Sequence, residues 1–261
     1  MKRICLLAGY DKKCQIQDYV VYLVKKLSEI GEVYYVGNGK IPPDELFKIA
    51  PFTQRLFTKE HKMRDFGSWH YVIEQLGWDK LAQYDEIVFC NDSVYGPLFD
   101  LQAVFAQMER KGFDFWSVTS DYVYRYHLHR YFMVFSRDIV KNAAFQKFWN
   151  DISLTESARY SEYKLTSLLA EEGFVGNSYI RSYKQSDIMQ TPETLLSDYS
   201  APFIKIKSFL PENKYTAGSG LSLRYQIRTR TEYDTALINQ NITANHYPQT
   251  WAQKLVALSG I

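Results

Sequence analysis

Cysteine is scarce: Cys5, Cys14 and Cys90 are the only three in 261 residues. They have no metal-ligand spacing. An odd number without a framework excludes a disulfide scaffold and points to a reducing compartment. Cys5 and Cys90 lie in apolar runs, where a thiol behaves as a small hydrophobe. Long apolar runs are missing too. No window approaches the roughly 18 apolar residues of a membrane span, and the run Ile4–Ala8 is shorter than a signal peptide needs. The expectation is a cytoplasmic protein, with peripheral contact at the inner membrane face left open. Charge of one sign is not in excess either. Thirty-one Lys and Arg stand against 29 Asp and Glu, and the net charge is +2. Without a basic block, nucleic acid is not expected as a partner.

Several chemistry-bearing motifs are absent. No G-x-G-x-x-G follows the first apolar run and no G-x-x-x-x-G-K-[ST] occurs, which argues against dinucleotide and P-loop sites. The "RDFG" at 64–67 imitates a kinase tripeptide, but the kinase glycine loop, lysine and catalytic loop are missing. There is no G-x-S-x-G and no H-E-x-x-H. No internal repeat or low-complexity tract appears.

What remains is a chain built for a large core. Hydrophobic residues make up 46% and charged residues 23%, a globular balance. Aromatics reach 16%, with 21 Tyr. They fit a bulky core rimmed by tyrosine hydroxyls, or stacking surfaces for a sugar or base. Strand-like runs at 3–9, 32–37, 86–90, 113–121 and 131–136 alternate with helical periodicity at 15–31, 42–50, 68–84, 100–112, 142–152 and 161–174. Asp100 is the expected N-cap of its helix, and Gly31 and Gly112 are expected C-caps. Gly77 is expected to interrupt the third helix. The alternation predicts an α/β fold with a mostly parallel central sheet flanked by helices. Beyond about residue 183 the pattern weakens, apart from a short helix expected near 251–258. The predicted division is a catalytic domain over 1–200 and a C-terminal extension over 201–261 packing on the same domain.

In open α/β sheets, ligands bind outside the carboxyl ends of strands. The segments Gly9-Tyr10-Asp11, Asn91-Asp92-Ser93 and Ser120-Asp121 follow strands and are expected on one edge. Asp92 is either a hard oxygen ligand for a divalent cation or part of an Asx-turn with Asn91. Glu162 stands where its helix is predicted to begin, so it either answers the helix dipole or serves as a general base. His127 and His129, two apart, share one face if extended. They read as a metal pair lacking a third ligand, or as polar edge residues. His246 lies in a polar segment, where it either reaches back to a bound metal or phosphate or is a lone loop histidine with no chemical part. Arg64 suits a phosphate, and Asp65 suits a helix cap or a sugar hydroxyl.

The chain resembles the rhamnan synthesis protein F family. The resemblance rests on "RDFGSWHYVIEQLG", the unbroken "NDSVYGPLF" at 91–99, "DFWSVT" followed by His127 and "YFMVF", then "FQKFW", a glutamate-bearing helix ending in "EEGF", and "PFIKIKSF" at 202–209. It spans roughly residues 10–210. It implies a GT-A-like, Rossmann-type sandwich and an inverting glycosyltransferase of bacterial surface polysaccharide synthesis. The implied donor is a nucleotide sugar, dTDP-rhamnose or a UDP- or GDP-sugar. The implied acceptor is a glycan or lipid-linked glycan, and the implied cofactor Mg2+ or Mn2+. On this reading Glu162 is the base, and Asp92 holds metal and diphosphate with help from His246. Gly9, Tyr10, Asp65, Asn91 and Ser93 line the donor site, Arg64 meets the phosphates, and His127 lines the sugar pocket. The usual Asp-x-Asp is reduced here to Asn91-Asp92-Ser93, with one carboxylate. A non-catalytic sugar-binding or scaffold protein is the first rival. A nucleotidyltransferase is the second, although "LLAGYDKKC" has few glycines for that class.

Overall fold

The computed structural model describes residues 1–122, 125–152, 158–181, 191–210 and 219–245. Its centre is an eight-stranded sheet. β1 (Arg3–Gly9), β2 (Glu32–Gly37), β3 (Arg55–Thr58) and β4 (Glu86–Asn91) form the parallel half in the order β3-β2-β1-β4. β8 (Phe132–Ser136) runs antiparallel between β4 and β6 (Phe115–Asp121). β6 also pairs parallel with β9 (Gly176–Ile180), and its last two residues pair antiparallel with β7 (His127–Leu128). Two strands, β5 (Val94–Tyr95) and β10 (Ile204–Lys205), make a separate antiparallel ribbon. The expected α/β class and mostly parallel sheet are observed.

The central strands are continuous apolar runs because helices cover both faces. One face packs α1 (Asp18–Ser28) and α5 (Leu101–Lys111), through Val20, Leu23, Val24, Val104 and Phe105, onto Leu7, Val88 and Trp116. The other face packs α3 (Arg64–Leu76), α4 (Trp78–Leu81), α6 (Arg137–Lys141), α7 (Ala143–Asn150) and α8 (Ala158–Glu171) around Trp69, Phe89 and Trp149. Much of the aromatic excess goes here. Phe66 stacks on Trp149 at 5.4 Å between ring centroids, and Phe89 lies 5.0 Å from the same ring. Between β1 and β2 lie α1 and the α1–β2 turn, and α2 (Pro43–Phe47) follows β2 with prolines at its start.

Caps follow the expectation in part. Asp100 accepts a hydrogen bond from the Gln102 N–H, and Gly112 ends α5 in the left-handed region at φ 65°. Gly77 (φ 74°) separates α3 from α4. Gly31 is no cap: α1 ends at Ser28, and a Cβ at Gly31 would stand 2.7 Å from the Arg3 carbonyl oxygen. Close backbone approach explains that glycine, not handedness. α3 starts at Arg64, one turn before the predicted Ser68. α8 starts at Ala158, so Glu162 sits in its second turn and the dipole argument for it lapses.

The C-terminal region is more ordered than its pattern suggests. α9 (Pro192–Ser197), α10 (Ser219–Arg230) and α11 (Ala236–Ala244) pack on the sheet face that carries α1. Leu195, Phe203, Ile204, Leu223, Ile227, Ile238 and Ile242 belong to the same apolar cluster as Leu7 and Val88. Tyr95 donates its hydroxyl to Asn241 Oδ1 at 2.7 Å, which ties α11 to the ribbon. The helix expected near 251–258, and His246, lie outside the described residues. Among the described residues no helix is long and apolar enough to cross a membrane.

Candidate active site

β1, β4 and β6 run the same way, so their carboxyl ends share one edge of the sheet. Two adjoining cavities open there. The first, about 400 Å³, is lined by Gly9, Tyr10, His61, Arg64, Asp65 and Asp92 among others. The second, about 510 Å³, shares Tyr10, Asp65 and Asp92 and adds Asn91, Ser93, Lys12, Arg130, Lys205 and Lys207. Gly9, Tyr10, Arg64, Asp65, Asn91, Asp92 and Ser93 are therefore brought together.

The turn after β4 is built by its own side chains. Asn91 Oδ1 accepts from the Ser93 N–H at 3.1 Å and from Ser93 Oγ at 2.6 Å. This is an Asx-turn, made by Asn91 rather than Asp92. It leaves Asp92 facing the cavities, where Oδ2 accepts the Tyr10 N–H at 2.8 Å. Burial pushes the Asp92 carboxyl up to about 7, with repulsion from Asp65 and Asp11 adding to it; the Tyr10 hydrogen bond opposes the rise.

A chain of charged bonds runs from this turn to Glu162. Asn91 Nδ2 donates to Asp65 Oδ2 at 2.7 Å, and Arg130 Nε donates to the same oxygen at 2.8 Å. Arg130 Nη1 meets Glu162 Oε2 at 3.1 Å, and the Arg130 backbone N–H donates to Glu162 Oε1 at 3.0 Å. Glu162 is only 7% exposed and reaches the cavities through Arg130. Arg64, by contrast, makes no ion pair with any described residue and opens α3 at φ 52°. That backbone conformation is uncommon for a residue with a Cβ.

Lys205 was missed by sequence reasoning. The β5–β10 ribbon sets its Nζ 2.8 Å from Ser93 Oγ and 4.5 Å from the Tyr131 ring centroid. Burial pulls its ammonium down to about 7, while Asp65 and Glu162 resist the fall. The signal was present in "PFIKIKSF", two lysines interleaved with apolar residues, but nothing in the sequence pairs position 205 with Ser93. Arg130 and His61 were also missed. His61 holds Ser68 Oγ through Nε2 at 3.0 Å, and its buried Nδ1 has no hydrogen-bond partner among the described residues.

His127 does not border either cavity. It lies behind Glu162 with its ring 4.2 Å from Tyr163, and it faces Asp121 together with His129. The third partner that the His127–His129 pair lacked in sequence is thus Asp121, at the end of β6.

A Mg2+ or Mn2+ at the β4 end would find Asp92 as the turn's one carboxylate, since Asp65 Oδ2 beside it is held by Asn91 and Arg130. Asn91 Oδ1 and Ser93 Oγ are already engaged. That donor set suits a cation that takes its other ligands from substrate phosphates and water.

An α/β fold with an acidic turn and several cations at one sheet edge defines a protein suited to an anionic, hydroxyl-bearing ligand. The chain belongs to the rhamnan synthesis protein F family, whose sequence profile matches residues 33–259. No curated protein matches it by sequence. Among solved structures it is similar to a putative nucleotide-diphospho-sugar transferase from Desulfovibrio desulfuricans G20, with 12% identity over 92% of this chain and 97% of that one, at a TM-score of 0.44. It is also similar to the glycosyltransferase GlyE of Streptococcus pneumoniae TIGR4, with 10% identity, 95% and 65% coverage and a TM-score of 0.49. A cytidylyltransferase from Leptospira borgpetersenii serovar Hardjo-bovis aligns at 14% identity, 92% and 98% coverage and a TM-score of 0.43. At these values the likenesses assign no activity to this chain.

Proposed function

We propose that the protein is a glycosyltransferase that transfers a sugar, rhamnose in the first instance, from a nucleoside diphosphate to a glycan or lipid-linked glycan in surface polysaccharide synthesis. Family membership supports the reaction class. The observation that carries the reading is the cavity in which Asp92 faces Arg130, Lys205, Lys207 and Lys12. A diphosphate leaving group needs cations preorganised where charge develops, and a sugar needs hydroxyl acceptors beside them.

The roles follow from position. Gly9, Tyr10 and Asp65 border the nucleoside, and Arg64, which makes no ion pair among the described residues, supplies a guanidinium for phosphate. Asn91 and Ser93 hold the turn that aims Asp92. Mg2+ or Mn2+ on Asp92 would add positive charge at the diphosphate. Lys205 and Arg130, which line the same cavity, neutralise the departing nucleoside diphosphate. Glu162 takes the acceptor hydroxyl proton in a direct, inverting displacement. In the resting chain the Arg130 guanidinium holds Glu162 Oε2 and its backbone N–H holds Oε1, so a bound diphosphate that draws the guanidinium away frees Oε2 to act as the base. His127, outside both cavities, supports the Glu162 helix through its ring contact with Tyr163. The reaction is placed on residues 1–200, with 201–261 completing the cavity through Lys205. A cytoplasmic site at the inner membrane face fits a lipid-linked acceptor.

Incubation with dTDP-rhamnose, UDP- and GDP-sugars, followed by assay of released nucleoside diphosphate, tests this reading. Glu162→Gln is expected to lower turnover by at least 10²-fold with donor binding retained. Full turnover in that variant removes Glu162 as the base. Absence of binding or turnover with every donor favours the scaffold alternative.

A further inference from the structure

Behind the cavities, outside the site described above, β6 and the turn into β8 bring three metal-ligating side chains together. Asp121 Oδ1 stands 3.3 Å from His127 Nδ1, and Asp121 Oδ2 stands 3.1 Å from His129 Nε2. Ligand atoms of all three residues lie within 4.8 Å of one another. Asp121 and His127 are buried, and His129 is partly open. We propose that Asp121, His127 and His129 form a binding site for a divalent transition metal, of the Zn2+, Mn2+ or Co2+ class, distinct from any cation carried on Asp92.

Three observations support this. The His127 contact, at 3.3 Å, is longer than the roughly 2.7–2.9 Å of a charge-assisted N–H to carboxylate bond, and the His129 contact, at 3.1 Å, is itself a hydrogen bond. They match the separation of about 3.0–3.4 Å between neighbouring donors that each lie about 2.1 Å from one ion. Next, His129 is held as metal-binding imidazoles are: its far nitrogen, Nδ1, bonds Thr119 Oγ1 at 2.7 Å, and Thr119 Oγ1 bonds the Tyr131 hydroxyl at 2.8 Å. Finally, two imidazoles and one carboxylate select transition metals over Mg2+, which prefers oxygen ligands. His127 Nδ1 also lies 3.1 Å from the Arg125 carbonyl oxygen, so loading through that nitrogen exchanges this contact for the ion. Three protein ligands leave a coordination position for water or a substrate oxygen.

The site has a structural consequence. His129 adjoins Arg130, and Leu128 donates its N–H to Thr166 Oγ1 at 3.3 Å, one turn beyond Glu162. An ion here clamps the hairpin that carries Arg130 against the helix that carries Glu162.

The test is a Co2+ titration of the metal-stripped full chain, read by visible absorption, together with metal analysis of the protein as purified. The expected result is a stoichiometric visible band that survives in Asp92→Asn and in excess Mg2+. His129→Gln should abolish the band, and Thr119→Val should weaken binding about 10-fold or more. Far-ultraviolet circular dichroism confirms that the variants fold, and the wild-type titration stands without them. No band in the wild-type chain, or a band lost in Asp92→Asn but kept in His129→Gln, overturns the proposal. In the first case the cluster is a hydrogen-bonded network only. Neither result depends on sugar transfer, so failure here leaves the proposed activity standing, and failure of that activity leaves the site standing.

Discussion

Asp92 and Lys205 face one cavity with displaced pKa values, and their signs of linkage are opposite. Asp92 rises from 3.8 to about 7. Between those values the native chain keeps a proton that the unfolded chain has released, so stability falls as pH climbs through the window. Lys205 drops from 10.5 to about 7. Between 7 and 10.5 the unfolded chain holds the extra proton, so this contribution rises with pH. Asp92→Asn is therefore expected to raise Tm by several degrees at pH 8 and to change it little at pH 4. Lys205→Met should raise Tm at pH 6, with the gain fading towards pH 10. Thermal melts across pH check both. A second expectation concerns binding. A nucleoside diphosphate favours the protonated forms of both groups, so metal-free binding near pH 7.5 should take up protons. Calorimetry in two buffers of different ionisation heat reads this directly. Mg2+ at Asp92 displaces its proton and should reduce the uptake.

Local signals made much of the site legible. The strand-like run 86–90, its polar turn and the carboxyl-edge rule together pointed to Asp92 beside Gly9 and Tyr10. Arg130 and Lys205 stayed hidden for a shared reason: each acts through partners more than thirty residues away. Asp65 and Arg130 are 65 positions apart, and Ser93 and Lys205 are 112 apart. Composition and periodicity carry no record of such pairs.

At the scale of elements, the β5–β10 ribbon decides where Lys205 stands. Leu98 donates its N–H to the Pro202 carbonyl at 2.8 Å, and Gly96 adopts φ 136° so that the two segments can meet. A Cβ there would lie 2.3 Å from Pro202 O. Gly96→Ala is expected to cost about 2 kcal/mol or more and to weaken donor binding by shifting Lys205. Chemical denaturation and a binding isotherm measure the two effects separately. The helices were unevenly legible. α1 and α5 carry broad apolar stripes, whereas α10 places only Leu223 and Ile227 among its buried hydrophobics and also buries Arg224. Such a helix is fixed by tertiary contact rather than by its own pattern. β9, "GNSYI", likewise has no strong strand signature, and β6 recruits it.

At the scale of the molecule, the segment after residue 200 is part of the core. Phe203, Ile204 and Phe209 are each at most 1% exposed and pack with residues of β4 and α1. A chain ending at residue 200 would uncover that surface. It is expected to aggregate or to melt without a cooperative transition, whereas the full chain should melt in one step. Differential scanning calorimetry of the two chains decides. The strand order was not readable in advance, because β8 inserts antiparallel between β4 and β6, and no sequence signal reports which strands become neighbours.

The amide of Asn91 also constrains how this turn can change over generations. Replacing Ser93 with Asp sets a new carboxylate beside the Lys205 ammonium, at the loss of the hydroxyl that donates to Asn91 Oδ1. Replacing Asn91 with Asp instead removes the donor to Asp65 and presses two anions together at hydrogen-bond distance. A lineage moving from this turn towards a doubly acidic one must alter Asp65 before it alters Asn91. The path is ordered, and its first barrier lies 26 residues away from the motif itself.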